Sequence, residues 1–427
     1  MPPGQPEESA PYVIVSHPTR QGYVYRVPMA AQLAGFQGVF LTGIYYKPEK
    51  PVYRLATSLP FGLGAKLSNT LEKRRLRELD PNRVVSVSGP LPEILPRISG
   101  SYRPSNSLHD RLAARWIDKC GNFDGPTVAH GFADSSSRFL GGARRHGATT
   151  ILEMTLPPWG EEIIAPEYDR LGYRFPPNRQ LREHQAEIDE ADFIVAQNAF
   201  SVDWLSNHNI ALDRIALLPL GVDTERFHPA GDSESERDPE HPFRVIFVGH
   251  QSIRKGLHIL LEAWRGLALD NAELILVGPV TDDIGKRLHE EYAGKFTFVG
   301  MTQPDRLAEL YRSADLLVCP SLFEGGPMVV LEAMATGLAC VVSSSACSVV
   351  RDGTDGIIVP VADSSALADA ISTLYKDRPL VRRMGIAARE RALAFTWDRF
   401  YHRLARFYRM AAAGERPESG FTDLTTI

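Results

Sequence analysis

The second half of the chain alternates short apolar runs with helical patterns, and that alternation restricts the fold more than any other feature. Arg244–Val248 (RVIFV), Glu273–Val277, Phe296–Val299, Asp315–Cys319, Cys340–Ser343 and Ile357–Val359 are of strand length and apolar almost throughout. A strand with one wet face alternates apolar and polar residues. A run that stays apolar is buried on both faces, as in a parallel sheet. Between these runs lie helical patterns. In Leu257–Leu267 the residues Leu257, Leu260, Leu261, Trp264 and Leu267 fall on one face. Further helices are expected over Asp283–Tyr292, Arg306–Ser313, Pro327–Thr336 and Ser364–Tyr375. Strand–helix repetition of this kind means right-handed βαβ units and a doubly wound sheet.

The first half repeats the theme less clearly. Tyr12–Val15, Gly38–Leu41, Thr127–Ala129, Thr149–Leu152, Phe193–Ala196 and Arg214–Leu218 are strand candidates. Helices are expected up to Ala34, over Ser135–His146 and over Asn178–Asp189. The stretch Lys47–Asn106 is irregular and basic, with LEKRRLREL at Leu71–Leu79 as its one clear helix. Gly221–Pro242 is polar, charged and poor in large apolar residues, so it reads as a linker or surface loop. The expected fold is therefore α/β, two doubly wound Rossmann-like domains facing a central cleft. Residues 1–220 form the first domain, 221–395 the second, 396–412 a last helix and 413–427 a tail.

Composition excludes some partners. The 427 residues carry 47 basic and 52 acidic side chains, net −5. Nothing globally basic is available to replace counterions along a phosphate backbone, so no nucleic-acid partner is expected. Cys120, Cys319, Cys340 and Cys347 form no CxxC pair and are too few for a disulfide framework, so they read as small hydrophobes of a reduced protein. The start, MPPGQPEESAP, has neither the basic nor the apolar region of a signal peptide. The longest uncharged stretch, Ala333–Val350, is interrupted by Gly337 and four serines. A cytoplasmic protein is expected.

Ligands of open α/β sheets sit beyond the carboxyl ends of the strands, and there the sequence becomes informative. After RVIFV comes GHQSIRKG, Gly249–Gly256, opening directly into a helix. Arg254 and Lys255 stand at that helix N-terminus, where free N–H groups, the helix dipole and two cations together suit an anion. After DLLVC comes PSLFEGGPMVVLEAMATG. Pro327 reads as the first residue of a helix, Gly325 and Gly326 as places where backbone approaches a ligand, and Gly337 as the helix stop. Glu324 lies in the loop, and Glu332 follows eight positions later inside the helix. Two acids beside an anion site fit a ligand that carries hydroxyls next to its phosphates, because carboxylates accept bonds from sugar hydroxyls.

These residues resemble the donor-binding domain of the retaining glycosyltransferases of family 4, which have the GT-B fold. The resemblance rests on VIFVGHQSIRKGLHILLEAWRGL, AELILVGP, FTFVGMTQPDRLAELYRSADLLVCPSLFEGGPMVVLEAMATG and RDGTDGIIVPVADSSALADAI, and covers nearly all of the second half. The first half is similar more loosely, through SHPTRQGY, VAHGF and DEADFIVAQNAFSVDWL leading to LLPLGVDTERFHP. The resemblance implies that Lys255 binds the donor diphosphate and stabilises it as leaving group, assisted by Arg254. It implies that Glu324 contacts the donor sugar and Glu332 the ribose, in an E-x7-E pattern. The backbone of Gly325, Gly326, Pro327 and Met328 would cradle sugar and phosphates. Val299, Gly300 and Met301 would meet the nucleobase, and Gly22 the diphosphate. Where the family carries an arginine after the glycine that ends the strand RVIFV, this chain has His250; either Arg254 takes over or a protonated His250 contributes. The family's histidine after the strand TTILE has no counterpart. Glu153 and Thr155 are nearest, and His130 is either a site residue or a structural histidine.

What the resemblance implies for function is transfer of a hexose-type sugar from a nucleoside diphosphate sugar to an acceptor hydroxyl, with retention, in bacterial glycan, glycolipid or glycosylated-metabolite synthesis. No cofactor and no metal ion are expected. The first domain would bind a glycan, lipid-linked or small-molecule acceptor. A GT-B epimerase, a phosphorylase and a non-catalytic sugar-nucleotide-binding protein are the alternatives. The basic segment Leu71–Leu79 is expected either to lie on an anionic membrane surface, giving peripheral contact with the inner membrane face, or to be a solvated helix or acceptor-site wall. The last helix, Thr396–Ala412, is expected to pack across to the first domain.

Overall fold

The structure is a computed structural model, and it describes the chain except residues 1–9, 19–21, 59–62, 73, 91–101, 122, 124, 176–180, 231–240, 281, 348 and 418–427. The strands of the first half are β1 (Tyr12–His17), β2 (Gly38–Thr42), β3 (Val84–Ser86), β4 (Thr127–Phe132), β5 (Thr149–Glu153), β6 (Phe193–Ala196) and β7 (Ile215–Leu217). They form a seven-stranded sheet in the order β3-β2-β1-β4-β5-β6-β7, every pair parallel. Those of the second half are β8 (Phe243–Val248), β9 (Ala272–Val277), β10 (Thr297–Gly300), β11 (Leu316–Cys319), β12 (Ala339–Ser343) and β13 (Gly356–Val359). They form a six-stranded parallel sheet in the order β10-β9-β8-β11-β12-β13. The apolar runs have their explanation here: β4, β6, β11 and β12 are buried at every residue, with helices covering both faces. The architecture is α/β with two doubly wound domains.

In both sheets the strand order reverses once beside the first strand, between β1 and β4 and between β8 and β11. Such a switch point opens a crevice at the carboxyl ends. The loops that follow β5 and β6 meet the loop that follows β11, so the carboxyl ends of the two sheets face each other across a narrow junction.

The helix Trp397–Ala412 lies against the first sheet. Its Tyr408 hydroxyl bonds Nδ1 of His130 at 2.8 Å, Phe407 packs edge-on against Phe193, and Tyr401 accepts a bond from Arg26 at 2.7 Å. The stretch before β8 is not simply solvated. Val222 pairs with Thr396, and Phe227 is buried against Tyr311. Residues 231–240 of the expected linker lie outside the described residues.

The stretch Lys47–Asn106 corrects the sequence expectation. The helix runs over Leu63–Glu72 and stops there, so Leu71–Leu79 is not a helix. Leu71 and Leu79 are buried, and the Tyr45 hydroxyl donates to the Leu76 carbonyl at 2.8 Å, which fixes the segment as turns against the core. Its leucines fall at spacings of five and three, too irregular for one helical stripe. The basic helix that would have met a membrane is therefore absent (Lys73 lies outside the described residues). Further helices that the sequence did not announce cover Pro51–Thr57, Arg103–Cys120, Glu161–Arg170, Ala199–Asn207 and Arg378–Ala392. The helix expected at Asn178 occupies Leu181–Glu190. Pro327 is the N-cap, not the first turn, of Met328–Ala335. Among the described residues no helix is long and apolar enough to cross a membrane. The four cysteines are free, with Cys319 and Cys340 buried and Cys120 exposed.

Tyr408→Phe removes the hydroxyl that partners buried His130. It should lower stability by about 1–3 kcal/mol, the cost of leaving a buried polar atom unmatched, read as a shift of the urea midpoint; an unchanged midpoint would show that the helix is not held there.

Candidate functional site

The turn Gly249–Gly256 and the loop Pro320–Pro327 are drawn together by their own backbones. The Leu322 amide donates to the Arg254 carbonyl at 2.8 Å. Gly256, at φ +72°, sits so close to the Pro320 carbonyl that a Cβ would collide with it. Arg254 and Lys255 are thereby fixed beside Glu324. Lys255 Nζ donates to Glu324 Oε1, and Ser321 Oγ donates to the same oxygen at 2.9 Å. Arg254 Nη1 lies 3.4 Å from it and donates to the Phe323 carbonyl at 3.0 Å. The Glu324 carboxylate is only 5% exposed. Burial alone would raise its pKa, but the neighbouring Lys255 and Arg254 outweigh burial, and the carboxyl lies below its ordinary value. The group is an anion held by two cations where the helix Met328–Ala335 begins.

His250 stands at the rim of this cluster. His250 is exposed, and partial desolvation of its ring, with the charges of Lys255 and Arg254, lowers its pKa. The protonated His250 considered from the sequence is therefore disfavoured in the free protein, because the two cations already occupy the place. Glu332 is partly buried on the same helix and accepts a bond from the Tyr311 hydroxyl at 3.2 Å. Burial pushes its carboxyl up to about 7, against the opposing pull of Tyr311 and Arg226. The edge strand β10 offers an apolar rim, with Phe298 46%, Val299 36% and Met301 83% exposed beside Gly300. Gly22 lies exposed in the turn after β1, with nothing within 4 Å of a Cβ placed there. Thr19–Gln21 of that turn lie outside the described residues.

Gly325 and Gly326 have a structural use that the sequence did not show. A Cβ on Gly325 would strike the carbonyl of Thr155, and one on Gly326 would strike the Gln197 amide. Both neighbours belong to the first domain. These glycines let the first domain come close to the loop. Met328 follows Pro327 as the first residue of the helix, partly buried against the core.

The first-domain candidates lie behind this junction. His130 is fully buried, with Nε2 3.0 Å from Glu153 Oε2 and Nδ1 bonded to Tyr408. Glu153 Oε1 accepts from Gln197 Nε2 at 2.7 Å, and the same amide lies 3.0 Å from the Tyr23 hydroxyl. His130 and Glu153 thus form a buried polar network in which each is occupied by protein partners, and neither is open to a ligand. Sequence reasoning missed Gln197, Asn198, Ser201, Ser321 and Phe323. Asn198 after the strand FIVA carries an N-cap signal, but nothing in one sequence tells what a cap's amide reaches across a cleft. Among the described residues no group of three or more His, Cys, Asp or Glu could hold a metal ion. A cavity of about 450 Å³ lies at the opposite end of the second sheet, between Arg389, Ile386 and Leu338. Charge and backbone geometry, not cavity size, locate the cluster around Glu324.

Residues 242–377 match the family described as glycosyl transferases group 1. Over 257 residues the chain is 30% identical to the D-inositol 3-phosphate glycosyltransferase of Corynebacterium glutamicum (strain R), covering 56% of this chain and 61% of that protein. The chain spans between about half and two thirds of the length of the curated relatives it matches. Its fold is similar to that of the sucrose-phosphate synthase of Thermosynechococcus elongatus, with TM-score 0.66 and 21% identity, covering 95% of this chain and 100% of that one. It is also similar to Anabaena Alr3699/HepE in complex with UDP-glucose, with TM-score 0.61 and 15% identity, covering 93% and 99%. The fold is that of the GT-B glycosyltransferases, and the second domain carries the group 1 glycosyltransferase match.

Because Lys255 is one cause of the lowered His250 pKa, Lys255→Ala should raise it. The imidazole Cε1–H resonance followed by NMR against pH should show the upward shift; an unmoved titration would mean that the two groups do not share a field.

Proposed function

We propose that the chain is a retaining glycosyltransferase of family 4 that moves a hexose-type sugar from a nucleoside diphosphate sugar to an acceptor hydroxyl without a metal ion. The observation that carries this reading is the grip of Lys255 and Arg254 on one side and Glu324 on the other, at the mouth of two adjacent strands. A diphosphate entering the crevice would take over the two cations and the amides at the start of Met328–Ala335. The released Glu324 carboxylate would accept bonds from sugar hydroxyls, and Glu332, at the E-x7-E spacing, from the ribose. The exposed apolar rim of β10 suits a nucleobase. His250, uncharged in the free protein, would face the phosphates as a neutral N–H donor. Residues 1–220 would bind the acceptor, 221–395 the donor, and 396–412 would tie the two together.

In the reaction the bond between the anomeric carbon and the diphosphate oxygen breaks, and its electron pair stays on the phosphate. The acceptor oxygen bonds the same face of that carbon, and its proton passes to the departing phosphate oxygen. The chain's contribution is to hold the growing negative charge with Lys255, Arg254 and backbone amides, aimed in advance, and to exclude water from a reactive sugar. A uridine donor is supported by the UDP-glucose bound to the Anabaena neighbour, and an inositol phosphate acceptor by the name of the matched relatives.

Lys255→Ala should lower kcat by about 10²–10³, by analogy with the loss of one charge-stabilising donor, with transfer followed as UDP release; near-normal turnover would contradict the role. Chelator should leave the wild-type rate unchanged. Affinity for UDP-glucose, whose phosphates do not titrate near neutrality, should fall as pH drops through about 7, because the raised Glu332 carboxyl is then protonated and accepts ribose hydroxyls less well. Glu332→Gln should bind more weakly at high pH and lose that dependence; calorimetric titration between pH 5.5 and 8.5 reads both, and a pH dependence that survives the substitution would assign it elsewhere.

A further inference from the structure

The loop carrying Glu324 is fixed from both domains, and one of the first domain's polar holds on it is a side-chain amide. Asn198 is fully buried where β6 gives way to the helix Ala199–Asn207. Its Oδ1 accepts from the Ser201 amide at 2.7 Å, the ordinary bond of an N-cap. Its Nδ2 lies 3.3 Å from two carbonyls of the second domain, those of Glu324 and Ser345. The Ser201 hydroxyl points at the same Glu324 carbonyl at 3.5 Å. Ser343 and Ser345 in turn both donate to the Ser321 carbonyl, at 2.6 and 2.7 Å, so the two loops that Asn198 touches are bonded to each other. Next to Glu324, the fully buried ring of Phe323 packs edge-on against Phe200 and Trp204 of the first domain, 5.6 and 5.2 Å between centroids.

We infer that Asn198 is a positioning residue: its amide ties closure of the first domain to the placement of the Glu324 loop, so that the sugar contact is complete only when the domains are shut. This rests on the reading of Glu324 as a donor contact. The geometry separates two roles within one side chain. The oxygen stabilises the first domain's own helix, and the nitrogen reaches only the second domain. A carboxylate or hydroxyl in its place keeps the cap, since Asn, Asp and Ser serve equally there. Aspartate, however, sets an acceptor against two carbonyls that it cannot satisfy, whereas serine merely withdraws. Opening of the junction would leave the Lys255–Glu324–Ser321 cluster intact, because every member of it belongs to the second domain. Donor binding through the cations should therefore survive, and the step that needs a closed site should suffer.

The test compares wild type, Asn198→Ser and Asn198→Asp in the full chain, with UDP-glucose as donor. Thermal unfolding should stay near wild type for the serine variant. Turnover should fall about tenfold in Asn198→Ser, the scale of one hydrogen bond, and further in Asn198→Asp. KM for UDP-glucose should stay within about twofold of wild type, where a merely structural defect would lower active fraction and stability together. Two readouts do not depend on catalysis: the radius of gyration from small-angle scattering should rise in Asn198→Asp, and tryptophan emission should shift red as Trp204 loses Phe323. Wild-type compactness, emission and turnover in both variants would overturn the inference, as would a loss of turnover fully matched by loss of folded protein. If wild type transfers sugar to no acceptor, the activity reading has failed, and scattering and emission alone decide whether Asn198 holds the junction.

Discussion

Everything near the crevice depends on a carboxylate that would not stay charged where it lies without its neighbours. Glu324 is almost wholly buried, and an isolated carboxylate there would take up a proton. Lys255 and Arg254 keep it ionised, and Ser321 fixes which oxygen they share. Removing one partner of such a group leaves the others exposed to the full cost of desolvation. The arrangement is therefore one that an incoming anion with hydroxyls can replace part for part, with phosphate against the cations and sugar against the carboxylate. A ligand that was all anion would leave Glu324 unmatched; a neutral sugar would leave the cations where they are.

The loop that carries Glu324 also sets where the two domains touch. Both sheets point their carboxyl ends at the junction, and the loop with Glu324, Gly325 and Gly326 fills it. Without side chains at the two glycines the loop reaches the Thr155 carbonyl and the Gln197 amide. Phe323 enters an aromatic slot formed by Phe200 and Trp204. Behind it, the buried network of His130, Glu153, Gln197 and Tyr23 continues to Tyr408 on the last helix. Junction, candidate site and C-terminal helix thus form one connected set of contacts.

Much of this was legible in the sequence, for reasons that differ by element. RVIFV, LILV and ACVVS stayed apolar because their strands are covered on both faces, and their shortness favoured strands over a buried helix. RKG and EGGP stood out because charge and glycine at a strand end have few structural uses. The helix at Leu71–Leu79 misled because four basic residues and three leucines suggest an amphipathic face, whereas a buried tyrosine, Tyr45, takes the carbonyls of that segment. The short β3 and the helix Arg378–Ala392 carried too little apolar contrast to be seen. The cause of Gly325 and Gly326 was hidden for a deeper reason: what they approach is 170 and 129 residues away in sequence, at Thr155 and Gln197, and a single chain read in order holds no sign of that meeting.

The most direct measurement is a crystal structure of the chain with UDP. It should place the terminal phosphate within hydrogen-bond distance of Lys255 Nζ and the amides that open Met328–Ala335, with Glu324 released from Lys255 and the ribose hydroxyls on Glu332. A nucleotide bound away from these groups, with the Lys255–Glu324 pair still closed, would contradict the central claim.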